Sequence, residues 1–296
     1  MTGIFIGSVE FSARTLEKLI QLKVGINLVV GLRESGFNSD FVDLAPIARD
    51  GKIDFIYADD MDSEMFKRNL RDKNPDYIFC IGWSKLLDKE IINIPQYGVI
   101  GYHPSLLPQN RGRHPIVWAL ALGLEKTGST FFFMDEGADT GDILSQREIA
   151  ISYEDTARSL YEKLTLSALS QIEEFLPALS IFSPKKIKQD NSKSNVWRKR
   201  RNKDSEIDWR MSSYSIYNLI RALTKPYVGA DFIYKETRIK IWRAREIKND
   251  AWRNIEYGRV LKCYPDGGFV VKCGENAIHV LEYEPKEIKF EEGEIL

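Results

Sequence analysis

Between residues 3 and 103 the chain alternates short apolar runs with segments of helical period, and this alternation limits the possible folds more than any other feature. Residues 3–7, 26–31, 55–57, 77–82 and 99–103 read as strands, and residues 13–23, 65–73 and 86–92 between them read as helices. Strands separated by helices pair in parallel, and strands that are apolar throughout are covered on both faces. After residue 128 the texture changes to two extended runs, 130–134 and 143–151. A long helix is expected over 156–179, where Ala157, Leu160, Leu164, Ala168, Ile172, Phe175 and Leu179 recur every three or four residues and Asp155 can cap the start.

Residues 184–203 break the pattern with nine basic side chains against one acid, Asp190. Beyond them a helix over 214–223 is followed by short strands around Phe232, Ile241, Val260, 269–271 and 278–281, with turn residues at 265–268 and 274–276. That spacing suits a small barrel or sandwich. The expected division is residues 1–184, a basic linker 185–206, and a C-terminal helix with a small β domain over 207–296. There is no internal repeat.

Composition narrows the classes. With 43% hydrophobic and 29% charged residues the chain is a globular protein, not a disordered one. Its longest apolar runs, 26–30 and 77–81, fall far short of the roughly 18 residues that span a bilayer. A first strand starting by Gly3 with no leader ahead of it gives a cytoplasmic expectation. Forty-two basic against 43 acidic residues do not suggest a general nucleic-acid binder, although a local patch could still bind phosphate. Cys80, Cys263 and Cys273 are too few and scattered for a disulfide framework or a zinc site, and no metal is expected. Cys80, within an apolar strand, reads as a small buried hydrophobe.

The chemistry concentrates between residues 98 and 141. A strand delivers His103 to its C-terminal end, where open parallel sheets place their sites, and a proline-punctuated loop follows. Met134-Asp135-Glu136-Gly137-Ala138-Asp139-Thr140-Gly141 could bring a carboxylate to that histidine, although Asp and Gly are also ordinary turn residues. His114 is a secondary candidate, and His279, in a late strand, reads as structural.

Tyr102-His103-Pro104-Ser105-Leu106-Leu107-Pro108, Arg111-Gly112-Arg113-His114-Pro115, Trp118, Gly123, Thr127-Gly128 and Ala138-Asp139-Thr140-Gly141, in that order, resemble the folate-dependent formyltransferase family. Phe5-Ile6-Gly7-Ser8-Val9-Glu10-Phe11 is similar to that family's first strand and turn. Ile207-Asp208-Trp209, Asn218, Arg221-Ala222 and Pro226-Tyr227-Val228-Gly229-Ala230 are similar to the C-terminal region shared by methionyl-tRNA formyltransferases and nucleotide-sugar N-formyltransferases. The resemblance covers nearly the whole chain. It implies a Rossmann-like catalytic domain with a small OB-like β-barrel after it, and transfer of a formyl group from 10-formyltetrahydrofolate to a primary amine, leaving tetrahydrofolate.

An amine attacking a formamide needs an anion stabiliser and a group to move protons. By family position His103 would polarise the formyl oxygen or help the folate nitrogen leave, and Asp139 would orient His103 and accept the amine's proton. The same resemblance places the pterin against Trp83, Ser84, Leu86 and Leu87 and the loop of Asp135, Gly137 and Asp139. It places the acceptor near Gly101, Tyr102, Pro104, Asn110, Arg111 and His114. In the basic run, Arg198 could fork onto a pyrophosphate and Trp197 beside it could stack on a base or sugar. Read structurally, the run is a solvated connector and Trp197 a packing residue.

The family's asparagine two residues before the histidine is here Gly101, which a strand period of two puts on the same side as His103. Three substitutes are available: a water in the space the glycine leaves, His103 as sole donor, or the carboxamide of Asn110. His103 with a water is the expected one. The Gly-Tyr-His form resembles a group of sugar-type formyltransferases associated with pseudaminic acid. Asn38-Ser39-Asp40-Phe41-Val42-Asp43-Leu44 and Asn110-Arg111-Gly112-Arg113-His114-Pro115 resemble the same group. A tRNA-formylating relative would carry a basic insertion after the second strand, but residues 32–44 hold Arg33 against Glu34, Asp40 and Asp43. The expected acceptor is therefore a nucleotide-linked amino sugar, with UDP-4-amino-4,6-dideoxy-N-acetylaltrosamine as the single best choice and no nucleic acid or membrane partner. Methionyl-tRNA formylation, and a non-catalytic folate or sugar-nucleotide binder, are the alternatives.

Overall fold

A computed structural model describes residues 1–36 and 39–296, so Asn38 of the acidic motif lies outside the described residues. The first half follows the alternation: β1 (Thr2–Ile6), α1 (Glu10–Gln21), β2 (Gly25–Gly31), α2 (Ala45–Asp50), β3 (Asp54–Tyr57), α3 (Ser63–Asp72), β4 (Tyr77–Cys80), α4 (Lys89–Ile92) and β5 (Gly98–His103). The strands lie in the order β3-β2-β1-β4-β5, all parallel. This is a Rossmann-like sheet whose order reverses at β1, the place where such sheets open a crevice. The sheet is apolar on both faces. Ile4, Ile6, Leu28, Val30, Ile78 and Val99 pack with Leu70 and Ile91 in one core cluster, while Phe5, Val29 and Phe79 are also buried.

The chain continues through β6 (Arg111–Gly112), α5 (Pro115–Ala121), β7 (Lys126–Phe133), β8 (Ile143–Ala150), α6 (Ala157–Ser180) and β9 (Val196–Trp197). β7 joins the edge of the sheet antiparallel to β5, with His103 opposite Thr130 and Gly101 opposite Phe132, and β8 lies outside β7.

Several helix ends depart from expectation for identifiable reasons. α1 begins at Glu10, earlier than residue 13, because Ser12 Oγ accepts from the amides of Ser8 and Val9 at 3.2 Å each and donates to Ile81 O at 2.6 Å. Gly7 permits this turn, since a Cβ there would lie 2.5 Å from Ile81 O. α4 forms only from Lys89, where Asp88 caps it by accepting from Ile91 N at 2.9 Å, so residues 83–87 remain a loop at the end of β4. For α6 the reciprocal cap is Thr156 with Ser159 at 3.3 and 2.9 Å, not Asp155, whose carboxylate instead accepts from Ser152 N and Ser159 Oγ.

After β9 come α7 (Ser213–Leu223), β10 (Ala230–Tyr234), β11 (Thr237–Ile247), β12 (Val260–Cys263), β13 (Phe269–Lys272) and β14 (Ala277–Glu284). The last five form an antiparallel sheet in the order β10-β11-β14-β13-β12. Phe290 packs its ring against Phe232, Tyr234, Phe269 and Tyr283 inside the curl. The C-terminal segment joins the two edges of this sheet. Val260 on β12 exchanges backbone bonds with Gly293 and Glu294, and the Glu294 carboxylate accepts from Tyr234 OH at 2.6 Å at the end of β10.

Two compact units result, neither a consecutive run. One comprises Met1–Gly112, Thr127–Ile149 and Lys163–Trp197; the other comprises Arg113–Lys126, Ala150–Glu162 and Arg198–Leu296. This differs from a consecutive division at residues 184 and 207. Among the described residues no helix is long and apolar enough to cross a membrane, and no group of His, Cys, Asp and Glu is arranged to hold a metal. Burial pushes the Cys80 and Cys273 thiols up to about 12, as inert core residues require.

Candidate active site

His103, the last residue of β5, is 5% exposed, and its Nδ1 faces Asp139 Oδ2 at 3.5 Å. Its Nε2 donates to Asn110 O at 2.7 Å. Both ring nitrogens therefore face oxygen atoms. The carboxylate comes from the glycine-rich loop after β7. Asp135 Oδ1 folds that loop by accepting from Gly137 N at 3.0 Å and Thr140 Oγ1 at 2.5 Å, while Asp139, with φ of 58°, turns its carboxylate inward to accept from Gly112 N at 2.9 Å. Asp135 is thus a turn residue, and Asp139 meets the histidine.

The facing wall is the stretch Asn110, Arg111 and Gly112. β6 pairs in parallel with β9, Asn110 N donates to Asn195 Oδ1 at 2.9 Å, and Arg111 N donates to Asn195 O at 3.1 Å. Arg111, 5% exposed, spends Nη2 on Gln189 Oε1 at 2.7 Å and Asn191 Oδ1 at 2.8 Å, so its expected contact with substrate is replaced by an internal one. Gln189 Nε2 in turn donates to Asp139 O and Gly141 O. Residues 189–195 are pinned against the stretches 110–111 and 139–141 and are not a solvated connector. Sequence composition hid this, because the three anchoring side chains, Gln189, Asn191 and Asn195, are uncharged residues among lysines.

Two further expectations are corrected by strand geometry. Tyr102 points to the face opposite His103, where its hydroxyl donates to Ser129 Oγ at 3.1 Å, its ring packs on Phe11 and Phe131, and burial raises its pKa. Gly101 does share the face of His103 but opens no room for water: a Cβ there would meet Met134 Cγ at 2.9 Å and the Phe132 ring at 3.1 Å. Pro104 contributes a carbonyl that accepts from Thr127 Oγ1 at 3.1 Å.

At the end of β4, Trp83 packs on the core cluster beside Met134, and its indole nitrogen is buried with no acceptor among the described residues. Leu86 is 84% exposed, whereas Leu87 is part of that core and leaves the expected ligand surface. Ser84 is half-buried beside Trp83. Lys89 pairs with Glu136 at 2.6 Å, tying α4 to the acidic loop and bringing residues 83–86 and 135–141 to one place.

In the second unit Arg198 and Arg200 of the basic run are engaged within the unit, both on Asp204. Arg198 grips Asp204 through two bonds of 2.7 and 2.5 Å and lies 5.1 Å over the Trp118 ring, while Trp118 Nε1 donates to Arg198 O at 3.0 Å. Hydrogen bonding to Arg198, more than any other contact, holds the Asp204 carboxyl far below its usual range. Trp118 thus carries two stacked cations, since Arg200 lies over the same ring at 5.4 Å, while Trp197 pairs through its backbone in β9. Trp118 and Arg200 were legible only as a family motif residue and a generic cation. Burial, then the Arg200, Arg113 and Lys199 charges, pushes the His114 imidazole below its ordinary value. His279 stacks on Tyr264 and accepts from Arg245 Nε at 3.1 Å, a structural role.

Residues 47–176 match the formyl transferase family and residues 199–294 match the formyl transferase C-terminal domain. The chain belongs to the formyltransferase family. This formyltransferase is 32% identical over 290 residues to the methionyl-tRNA formyltransferase of Halothermothrix orenii, an alignment covering 95% of this chain and 92% of that protein. It is 33% identical over 287 residues to the methionyl-tRNA formyltransferase of Caldanaerobacter subterraneus, covering 95% and 91%. Its fold is shared by the sugar 3N-formyl transferase WlaRD, solved with dTDP and 5-N-formyl-THF (TM-score 0.70, 19% identity, 95% of this chain and 97% of that one). It is shared also by an N-formyltransferase from Helicobacter canadensis, solved with folinic acid and dTDP-3-aminofucose (TM-score 0.71, 18% identity, 94% and 98%).

Proposed function

We propose that this formyltransferase carries a formyl group from 10-formyltetrahydrofolate to the primary amine of a nucleotide-linked amino sugar in the cytoplasm. The observation that carries the acceptor class is the rim after β2. Arg33 is the single cation of residues 32–44, and Asp60 takes its guanidinium through bonds of 2.8 and 2.5 Å while the Tyr57 ring lies under it. Nearby Lys85 pairs with Asp59 at 2.8 Å. A surface whose cations are held by carboxylates attracts a phosphate backbone weakly.

The buried, acceptorless indole N–H of Trp83 beside exposed Leu86 suits a flat heteroaromatic ring that is apolar on its faces and carries acceptors at its edge. Bound there, the folate supplies the activated formyl carbon and a nitrogen leaving group. As the acceptor nitrogen bonds to the formyl carbon, Asp139 accepts the proton that the amine loses, and as the bond from that carbon to the folate nitrogen breaks a proton passes to the departing nitrogen; the Oδ2 of Asp139, held by Gly112 N, also orients His103. His103 Nε2 holds its proton against Asn110 O; exchanging that carbonyl for an oxygen at the end of β5 turns the ring into the donor for developing negative charge. No metal enters this scheme.

The relatives named methionyl-tRNA formyltransferase, at 32 and 33% identity, favour Met-tRNA as a second reading. Incubation with 10-formyltetrahydrofolate and a panel of UDP-, dTDP- and CMP-linked amino sugars, alongside Met-tRNA, separates the two. UDP-4-amino-4,6-dideoxy-N-acetylaltrosamine is the first sugar to try, from the resemblance to the pseudaminic acid group. Formylation of a sugar is expected. Turnover of Met-tRNA alone would overturn the acceptor, and turnover of nothing would favour a non-catalytic binder.

A further inference from the structure

We propose that Gln189 is a positioning residue for Asp139, which makes the segment after α6 a working part of the catalytic centre; this rests on the roles given above to His103 and Asp139. Gln189 is 7% exposed, and every strong hydrogen-bonding group of its amide is engaged. Nε2 donates to Asp139 O at 2.9 Å and to Gly141 O at 2.7 Å, and Oε1 accepts from Arg111 Nη2 at 2.7 Å. One side chain thereby holds both ends of the three-residue stretch that aims the carboxylate and ties it to the wall carrying Asn110 and Gly112.

The stretch needs holding. Asp139 has a left-handed φ of 58°, a conformation uncommon for residues with a side chain, although Asp adopts it more readily than most. From that conformation its Oδ2 reaches both Gly112 N at 2.9 Å and His103 Nδ1 at 3.5 Å. Arg111 closes the circuit on the other side: its neighbour Asn110 accepts from His103 Nε2, so the two oxygens that fix the imidazole both hang on parts joined through Gln189. Among the described residues the side-chain hydrogen bonds of Gln189 run to Asp139, Gly141 and Arg111 and none to His103, so the effect proposed for it passes through Asp139.

The test compares Gln189→Met, which keeps length and loses all three bonds, with Gln189→Asn, which keeps an amide one methylene shorter. It uses full-length protein and whichever acceptor the panel shows to be formylated. Gln189→Met is expected to lower kcat by about 10- to 100-fold with both KM values within threefold, and Gln189→Asn to fall between it and wild type. In an Asp139→Ala background, Gln189→Met is expected to cost nothing further, the signature of a residue acting through another. With three histidines in the chain, ring ¹⁵N spectra supply a readout independent of turnover: the His103 signals should move in Gln189→Met while those of His114 and His279 stay. A kcat within twofold of wild type, losses that multiply in the double variant, or His103 signals that do not move would overturn the inference. Wild-type turnover in Asp139→Ala would instead sink the underlying assignment of Asp139, and a slow Asp139→Ala beside a fast Gln189→Met would sink this inference alone.

Discussion

Restoring the family's asparagine in Gly101→Asn is expected to damage this enzyme, not improve it. The first new atom, Cβ, would sit 2.9 Å from Met134 Cγ and 3.1 Å from Cε1 and Cζ of Phe132. Met134 is flexible and can give way, but Phe132 is buried in a cluster with Leu107 and Ile143 and has no such freedom. Overpacking of this kind costs about 1–3 kcal/mol, and a carboxamide left without partners there costs about 1–3 kcal/mol more. At about 2–4 °C per kcal/mol for a chain of this size, the melting temperature should fall by roughly 4 to 24 °C. Gly101→Ala, which adds Cβ alone, should lie at the mild end. Thermal denaturation with steady-state kinetics on the same preparations checks both. An Asn variant that melted within a degree or two of wild type and turned over faster would refute the reasoning, since it would mean that the space beside His103 is open and the oxyanion donor missing. Asn110→Ala should cost less than about tenfold, because the contact to His103 comes from the backbone carbonyl, which alanine keeps; a collapse of turnover with acceptor binding unchanged would make the Asn110 carboxamide the substitute donor.

Three other outcomes are expected. His103→Ala and Asp139→Ala should each lower turnover by about 10²-fold or more with the fold intact, and near-wild-type rates in either would contradict the assigned chemistry. Arg198→Ala should leave the acceptor KM within threefold, because its guanidinium is already given to Asp204; a tenfold rise would restore a phosphate-binding role. The Glu294 carboxyl is held down to about 2, chiefly by the Tyr234 hydroxyl, then by the Glu291 amide and Lys235. Its folded value lies below the unfolded value of about 4.3, so the stability it adds is fully present above that value and is lost as pH falls toward 2. The stability gap between wild type and Glu294→Gln should therefore be widest near neutrality and narrow below pH 4; a gap constant from pH 7 to 3 would contradict it.

β1, β4 and β5 were readable because they are apolar and largely buried on both faces, a signal that does not depend on neighbours, and β2 and β3 by short apolar runs. α2 and α5 were not anticipated, being 6 and 7 residues long with no full amphipathic period. α5 also starts from His114 in a left-handed turn ahead of Pro115, a backbone choice that tertiary contacts impose. At the site, period-two reasoning placed Gly101 beside His103 correctly, yet sequence could not say that Met134 and Phe132 fill the gap. It also applies to Tyr102, whose place in the motif suggested substrate contact although its parity sends it to the other face. The residues missed altogether, Gln189 and Asn195, work through side-chain amide hydrogen bonds to residues 48 or more positions away in the chain, and neither periodicity nor charge pattern registers such contacts.

The interleaving of the two compact units sets a rule for recombination among relatives. α5, from the middle of the chain, packs against α7, and the fit is tight: a Cβ at Gly123 would lie 2.6 Å from the Tyr214 hydroxyl and 2.8 Å from Asn218 Nδ2. A chimaera spliced once, near residue 184, would join one parent's α5 to another's α7 and inherit a surface neither lineage had shaped. A graft that carried residues 113–126 and 150–162 together with everything after 198 would exchange the whole unit and keep its internal seams matched.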